Sequence, residues 1–180
     1  KCNPPLDADE LDMIWNSAVN FGKRIAARDD YIPPEDYDQG LLLKPQDFSD
    51  VGQATVLSDE YKNILRYSPA TDFLVYNGGY WEESKPKAQA VAQDLTARQL
   101  KEAETEVNLA LNEMSENGAI DVVMDKGLKK AAQFLNAEQG KSLKRYEEGL
   151  AYSKYVIQRR DSRKISASLK EARPMLEILP

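Results

Sequence analysis

The chain has 180 residues, of which 24 are basic, 30 are acidic, none is histidine and one is cysteine. A composition that is 42% hydrophobic and 30% charged is typical of a globular protein with a buried core, and it excludes wholesale disorder. Without histidine there can be no Ser-His-Asp or Cys-His nucleophile pair and no imidazole zinc site, and the lone Cys2 excludes an internal disulfide. No apolar run approaches the roughly 20 residues that span a bilayer, and no secretory segment follows Lys1. We therefore expect a cytoplasmic protein with no membrane partner, and the start at lysine suggests a fragment of a larger protein.

The first 65 residues are predicted to form two helices separated by a loop. Apolar residues recur at helical spacing from Leu11 to Ile25, which predicts a helix over about residues 8–28. Residues 29–45 are rich in proline and turn formers, so they predict a surface loop and a candidate domain boundary. Ser49 then caps a helix whose apolar face is predicted to extend to Leu65.

Residues 73–82 carry the clearest β signal. Two aromatic and β-branched runs flank the sequence Asn77-Gly78-Gly79, which predicts a hairpin because Asn-Gly tolerates the positive φ angles of a tight primed turn. We assign the aromatic side chains of Phe73, Tyr76 and Trp81 to packing within this hairpin and not to base stacking. The alternative is that the hairpin contacts DNA as a wing beside a helix.

The rest of the chain is predicted to be helical. Pro86 suits the first turn of a long helix that extends to about Asn117 and stops at Gly118. Its stripe of apolar residues lasts about two heptads, which favours packing within the chain over a coiled-coil seam. Further helices are predicted over residues 120–135 and 138–160, and from Asp161 to Pro174. The predicted fold class is mainly α, with one small β-hairpin at about 73–82.

Two motifs resemble catalytic or nucleotide sites, but each has a simpler interpretation. Gly140-Lys141-Ser142 resembles the end of a phosphate-binding P-loop, yet Leu135 stands where the first glycine belongs and no strand precedes it. Asp7 and Asp9 could hold metal ions, but at the start of a predicted helix they are better explained as capping residues. We therefore predict no catalytic residue, no metal and no cofactor.

The strongest functional signal is a basic end. Residues 1–140 contain 14 basic and 25 acidic side chains, whereas residues 141–180 contain 10 and 5. Guanidinium and ammonium groups are the usual donors to nucleic-acid phosphates, and Tyr152 and Tyr155 could either stack on bases or belong to the core. Arg173 belongs to the same run of cations. The predicted phosphate contacts are Lys154, Arg159, Arg160, Arg163, Lys164 and Lys170.

Several short stretches of the chain, taken in order, match one known pattern: residues 5–11 (PLDADEL), 14–18 (IWNSA), 50–54 (DVGQA), 65–67 (LRY), 73–78 (FLVYNG), 80–82 (YWE), 159–167 (RRDSRKISA) and 169–176 (LKEARPML). These stretches resemble the phage, plasmid and poxvirus primase-helicase family. In that family a primase domain comes first, a mostly helical region is central and a superfamily 3 helicase is last. None of the matching stretches carries catalytic residues.

The resemblance implies an organisation and a role. Residues 1–28 would be the helical end of the linker that follows a primase domain, 29–45 a proline-rich loop, and 46–180 the helical domain that precedes a helicase motor. The chain would then be a non-catalytic middle fragment in DNA replication, with DNA and the primase and helicase domains of the same chain as partners. The alternative is a protein-interaction or homo-oligomerisation module, with the helix at 86–117 as its docking surface and no DNA binding.

Overall fold

The computed structural model describes residues 13–17, 19 and 42–178. The chain divides into two compact units, Lys1–Gly40 and Leu41–Pro180. In the first unit residues 13–17 are helical, as predicted, and the remainder of the helix predicted at 8–28 lies outside the described residues, as do residues 29–41 of the predicted loop.

The second unit is mostly helical with one small antiparallel sheet, which confirms the predicted fold class. Its elements in chain order are α1 (Asp50–Tyr61), β1 (Leu65–Ser68), β2 (Asp72–Tyr76), β3 (Trp81–Glu83), α2 (Lys85–Glu116), α3 (Ala119–Lys126), α4 (Leu128–Ala131), α5 (Ala137–Arg159) and α6 (Ser162–Leu176).

The sheet has three strands in the order β1-β2-β3. The predicted hairpin is β2–β3, in which Tyr76 pairs with Trp81. Its turn is held by the Asn77 side chain, whose Oδ1 accepts from the N–H groups of Gly79 and Tyr80 at 3.1 Å, and Gly78 supplies the positive φ. The sequence did not predict β1: Leu65 was assigned to the preceding helix, but it pairs with Val75 and is fully buried by the sheet.

The long helix α2 has the predicted boundaries. Ser84 caps its first turn by accepting from the Lys87 N–H, and the chain turns away at Gly118 with φ 74°. Its apolar stripe packs along α5 inside the same chain, as predicted, and the two helices approach so closely that Gly149 lies against Val107.

Besides the helix that ends at Tyr61 and not at Leu65, two helix boundaries differ from the prediction. The helix predicted at 120–135 is broken into α3 and α4 at Gly127, whose φ of 77° interrupts a right-handed helix. Pro174 does not end α6, because the helix continues to Leu176, whose side chain is fully buried. Burial of this last turn outweighs the one backbone hydrogen bond that proline removes.

Within residues 42–178 the buried side chains form three clusters. The largest is shared by α1, the sheet, the first half of α2 and α6; the second lies between α2 and α5; the third lies where α2 and α5 meet α3 and α4. Leu43, which precedes α1, joins the largest cluster: its N–H donates to the Glu102 carboxylate at 3.0 Å and its carbonyl accepts from Gln99 Nε2 at 2.8 Å.

Across residues 13–17, 19 and 42–178, no helix combines the length and apolar character needed to cross a membrane.

Candidate nucleic-acid interface

The junction between α5 and α6 brings three of the predicted contact residues together. Arg160 follows the last residue of α5, and the Asp161 side chain caps α6 by accepting from the Arg163 N–H at 2.8 Å. The tight turn leaves Arg160, Arg163 and Lys164 exposed around one helix start. Local capping chemistry therefore fixes the positions of three cations within five residues of chain.

Helix α6 has a buried face and a basic exposed face. Ile165, Leu169 and Leu176 point into the largest core cluster. Arg163 and Lys170 lie on the opposite, exposed face; because they are seven residues apart, they align along the helix at about 10 Å. Among the residues with described side chains, neither forms an ion pair, so both cations are available to a partner.

The other two exposed cations are less well placed. Lys164 is half-exposed, and its Nζ lies 3.5 Å from the Asp50 carboxylate, which neutralises part of its charge. Lys154 is exposed on α5, but six residues separate it from Arg160, which places the two about 120° apart around the helix axis. Lys154 therefore stands at the edge of any surface formed by α6.

Arg159 is placed differently from the rest of the predicted set. Only 6% of its surface is exposed. Its guanidinium donates to the Asp50 carboxylate and to the Phe48 carbonyl, and it lies 4.7 Å from the centre of the Tyr155 ring. The Arg159 pair lowers the pKa of Asp50. Because its donors are engaged inside the protein, Arg159 is a structural residue here and not a surface phosphate contact.

Tyr152 and Tyr155 belong to the core, which settles the alternative that the sequence left open. Tyr152 is fully buried and its hydroxyl donates to the Glu102 carboxylate at 2.9 Å. The Tyr155 ring stacks on Phe48, with its hydroxyl near Gln53. Burial raises the pKa of both phenols. Neither ring is presented for stacking on a base.

The structure adds two cations that the predicted contact set did not include. Lys85, at the start of α2, and Arg173, on α6, lie with Lys170 around a groove of about 210 Å³. Arg173 is three residues after Lys170, so helical spacing could have suggested it. Lys85 is distant in sequence, and only the packing of α2 against α6 brings it there.

The P-loop-like segment has the simpler structure that the sequence favoured. Lys141 and Ser142 lie within α5, and the Ser142 hydroxyl donates to the Gln139 carbonyl at 2.9 Å and accepts from the Asn117 amide at 3.0 Å. These bonds join α5 to the end of α2. In the described part of the chain, no group of three or more His, Cys, Asp or Glu side chains has an arrangement that could hold a metal ion.

Comparison with known proteins identifies the family. The sequence model of the family described as "D5 N terminal like" matches residues 54–180, well over half of the chain. The chain belongs to the D5 N terminal like family. The match begins within α1 and includes each predicted phosphate contact, and this membership supports the resemblance to primase-helicase proteins of DNA replication. No curated protein and no solved structure matches the chain.

Proposed function

We propose that this D5 N terminal like chain is a non-catalytic segment of a phage- or plasmid-type primase-helicase, lying between the primase and helicase domains, and that it contacts DNA through α6. The observation that carries the proposal is the exposed basic face of α6, on which Arg163 and Lys170 are free of ion pairs among the described side chains. Arg160 and Lys164 extend that face at the α5–α6 junction.

Electrostatics support phosphate as the ligand. Residues 154–173 contain seven basic side chains and two acidic ones, in a chain whose other residues are net acidic. A surface with four exposed cations attracts a polyanion, and each phosphate contact releases condensed counterions. Arg160, Arg163 and Lys170, which form no ion pair among the described side chains, predict a slope of log affinity against log salt of about −3 for duplex DNA. Lys164 adds less than one further unit, because Asp50 neutralises part of its charge.

The alternative role for the long helix receives less support. A docking surface on residues 86–117 would need an apolar face that is free, but Ala103, Ala110 and Met114 are fully buried within the chain. The apolar stripe of α2 is thus occupied by α5, and what remains exposed on α2 is mostly polar. DNA contact through α6 is the role that the side-chain positions favour.

The proposal is tested by measuring the affinity of the 180-residue chain for single-stranded and duplex oligonucleotides by fluorescence anisotropy. The double variant Arg163→Ala/Lys170→Ala should bind about tenfold more weakly at low salt, and the magnitude of its salt slope should fall by about 2. The matched control is Lys129→Ala/Lys130→Ala, which removes the same charge from exposed positions on α4.

Equal weakening in both double variants would show that only net charge matters and would contradict an interface on α6. Undetectable DNA affinity of the unmodified chain, together with concentration-dependent oligomers in light scattering, would favour the interaction module instead.

A further inference from the structure

The groove beside α6 combines three cations with an apolar base. Lys85, Lys170 and Arg173 contribute to its lining, and Phe73 and Leu169 contribute apolar carbon. The Arg173 guanidinium is held over two aromatic rings, at 5.1 Å from the centre of Tyr67 and 5.8 Å from that of Phe73. An arginine fixed in this way loses little side-chain entropy when it binds an anion.

One carboxylate lies among these cations. Asp72 Oδ2 accepts from Lys85 Nζ at 2.9 Å, and Asp72 Oδ1 lies 3.7 Å from the terminal nitrogen of Arg173, beyond hydrogen-bond distance. Neither Asp72 Oδ1 nor Arg173 Nε has a hydrogen-bond partner among the described residues, although both atoms are buried. The Asp72 carboxylate thus offsets the charge of both Lys85 and Arg173, but it is hydrogen-bonded to Lys85 and not to Arg173.

The backbone of Asp72 is also unusual. Its φ of 70° lies in the left-handed region, and no other non-glycine residue in the described ranges has a positive φ. Aspartate tolerates this conformation better than most residues, but the conformation still costs free energy. The turn between β1 and β2 therefore holds this one acid beside Lys85 and Arg173 in a strained geometry.

We propose that the groove binds one phosphate group of a nucleic-acid backbone. The Asp72 carboxylate competes with this phosphate for the cations of the groove. The idea rests on the proposed DNA contact and locates one phosphate within it: the phosphate takes donors from Lys85, Lys170 and Arg173, and the Asp72 carboxylate moves aside or is repelled. Arginine and lysine around one anion are a common phosphate environment in proteins.

The size of the groove decides which part of a nucleotide it holds. Its 210 Å³ is below the roughly 300 Å³ at which pockets for whole small molecules begin. The groove therefore takes a phosphate group and not a complete nucleotide with its base, which suits a polymer whose bases lie outside.

The test is a gain of affinity. In the 180-residue chain Asp72→Asn removes the competing charge and keeps a residue that tolerates positive φ, so it should bind fluorescein-labelled oligothymidylate about 3- to 10-fold more tightly at low salt. Glu104→Gln is the matched control: Glu104 is an exposed acid on α2, and its replacement should change affinity by less than about twofold. If Asp72→Asn unfolds, Asp72→Gly serves the same purpose, because glycine also accepts φ 70°.

A second probe separates this proposal from the DNA role. Inorganic phosphate is titrated while NMR follows the side chains of Lys85 and Arg173, whose resonances should shift at lower phosphate concentration in Asp72→Asn. If the chain binds oligothymidylate but Asp72→Asn gains no more than Glu104→Gln, the groove proposal is overturned and the DNA role stands. If phosphate shifts these resonances while oligothymidylate does not bind, the groove binds phosphate as proposed, but the proposed DNA function is wrong. If neither ligand acts, both are overturned.

Discussion

The two ends of the α2–α5 helix pair are stabilised by different kinds of interaction. At the end that carries the sheet, α1 and α6 pack with the strands around a large apolar cluster that includes Leu57 and Leu95. At the other end, α3 and α4 close a smaller cluster around Met114 and Leu143, and the apolar side chain of Met124 stays 80% exposed.

The smaller end compensates with polar bonds. Arg145 on α5 bridges Glu106 and Glu113 of α2, and the Asn117 and Ser142 side chains join the two helices. Because the large apolar core stabilises the sheet end from within, the outer face of α6 can carry Arg163 and Lys170, which have no ion pair among the described side chains. Four sets of variants test this contrast between the two ends.

The largest effect is expected from truncating the two cores. Leu95→Ala should lower the free energy of unfolding by about 3–5 kcal/mol, because Leu95 is almost fully buried in the large cluster. Leu143→Ala should cost less, about 2–3 kcal/mol, since the smaller cluster has fewer neighbours to lose. Urea unfolding followed by circular dichroism measures both. A larger loss of unfolding free energy in Leu143→Ala than in Leu95→Ala would mean that the smaller cluster contributes more to stability than the large one.

Two arginines four residues apart should separate stability from binding. Arg159→Ala should cost about 2–3 kcal/mol of stability, because it removes a buried side chain that packs on the Tyr155 ring and leaves the Phe48 carbonyl without its donor. Arg163→Ala should change stability by less than about 0.5 kcal/mol while weakening DNA binding. Unfolding and anisotropy are measured on both variants at one salt concentration. If Arg159→Ala kept its stability but bound DNA more weakly, Arg159 would be a DNA contact and not a structural residue.

Two glycines of α5 should respond in opposite directions. Gly140→Ala should stabilise the protein by about 0.5–1 kcal/mol, because a Cβ there meets no atom within 4 Å and alanine favours the helix. At Gly149 a Cβ would lie 3.0 Å from Val107 Cγ2, so crowding against α2 should cancel that gain and leave a net loss of about 1 kcal/mol. Thermal unfolding compares the two. Equal stabilisation would mean that the helices can separate without cost.

The smallest effect concerns the pH dependence of the Asp50 pair. The hydrogen bond from Arg159 lowers the pKa of Asp50 below its usual 3.8. The pair therefore contributes to the free energy of unfolding above about pH 4, and this contribution is lost as the pH falls through the folded-state pKa of Asp50. The contribution should stay below about 1 kcal/mol, because Asp50 is 37% exposed and solvent screens the pair. Stability curves of the native chain and Asp50→Asn should diverge above pH 4 and converge in acid. The exposed Asp59→Asn serves as the control for the loss of one surface carboxylate on the same helix.

The sequence predicted most helices because their signals are local. Pro86 marks the first turn of α2, Gly118 its end, and Asp161 the start of α6. What it missed depends on distant partners: Leu65 becomes a strand residue because Val75 pairs with it, and Pro174 stays helical because the core holds Leu176.

The candidate interface likewise combines local and distant contacts. Spacing along α6 could place Arg163 and Lys170 on one face, since seven residues make about two turns. It could not reveal that Arg159 turns inward to Asp50, 109 residues earlier, or that Lys85 joins the groove. Charge along the chain thus predicts a basic region, but burial decides which of its cations a partner can reach.

The hydrogen bonds of Leu43 have a mechanical consequence. The Leu43 N–H donates to the Glu102 carboxylate and the Leu43 carbonyl accepts from the Gln99 amide, so both backbone groups are bound to side chains of α2. The Leu43 side chain is buried. Tension on the chain preceding Leu43 would therefore load the middle of the longest helix before it could unwind α1.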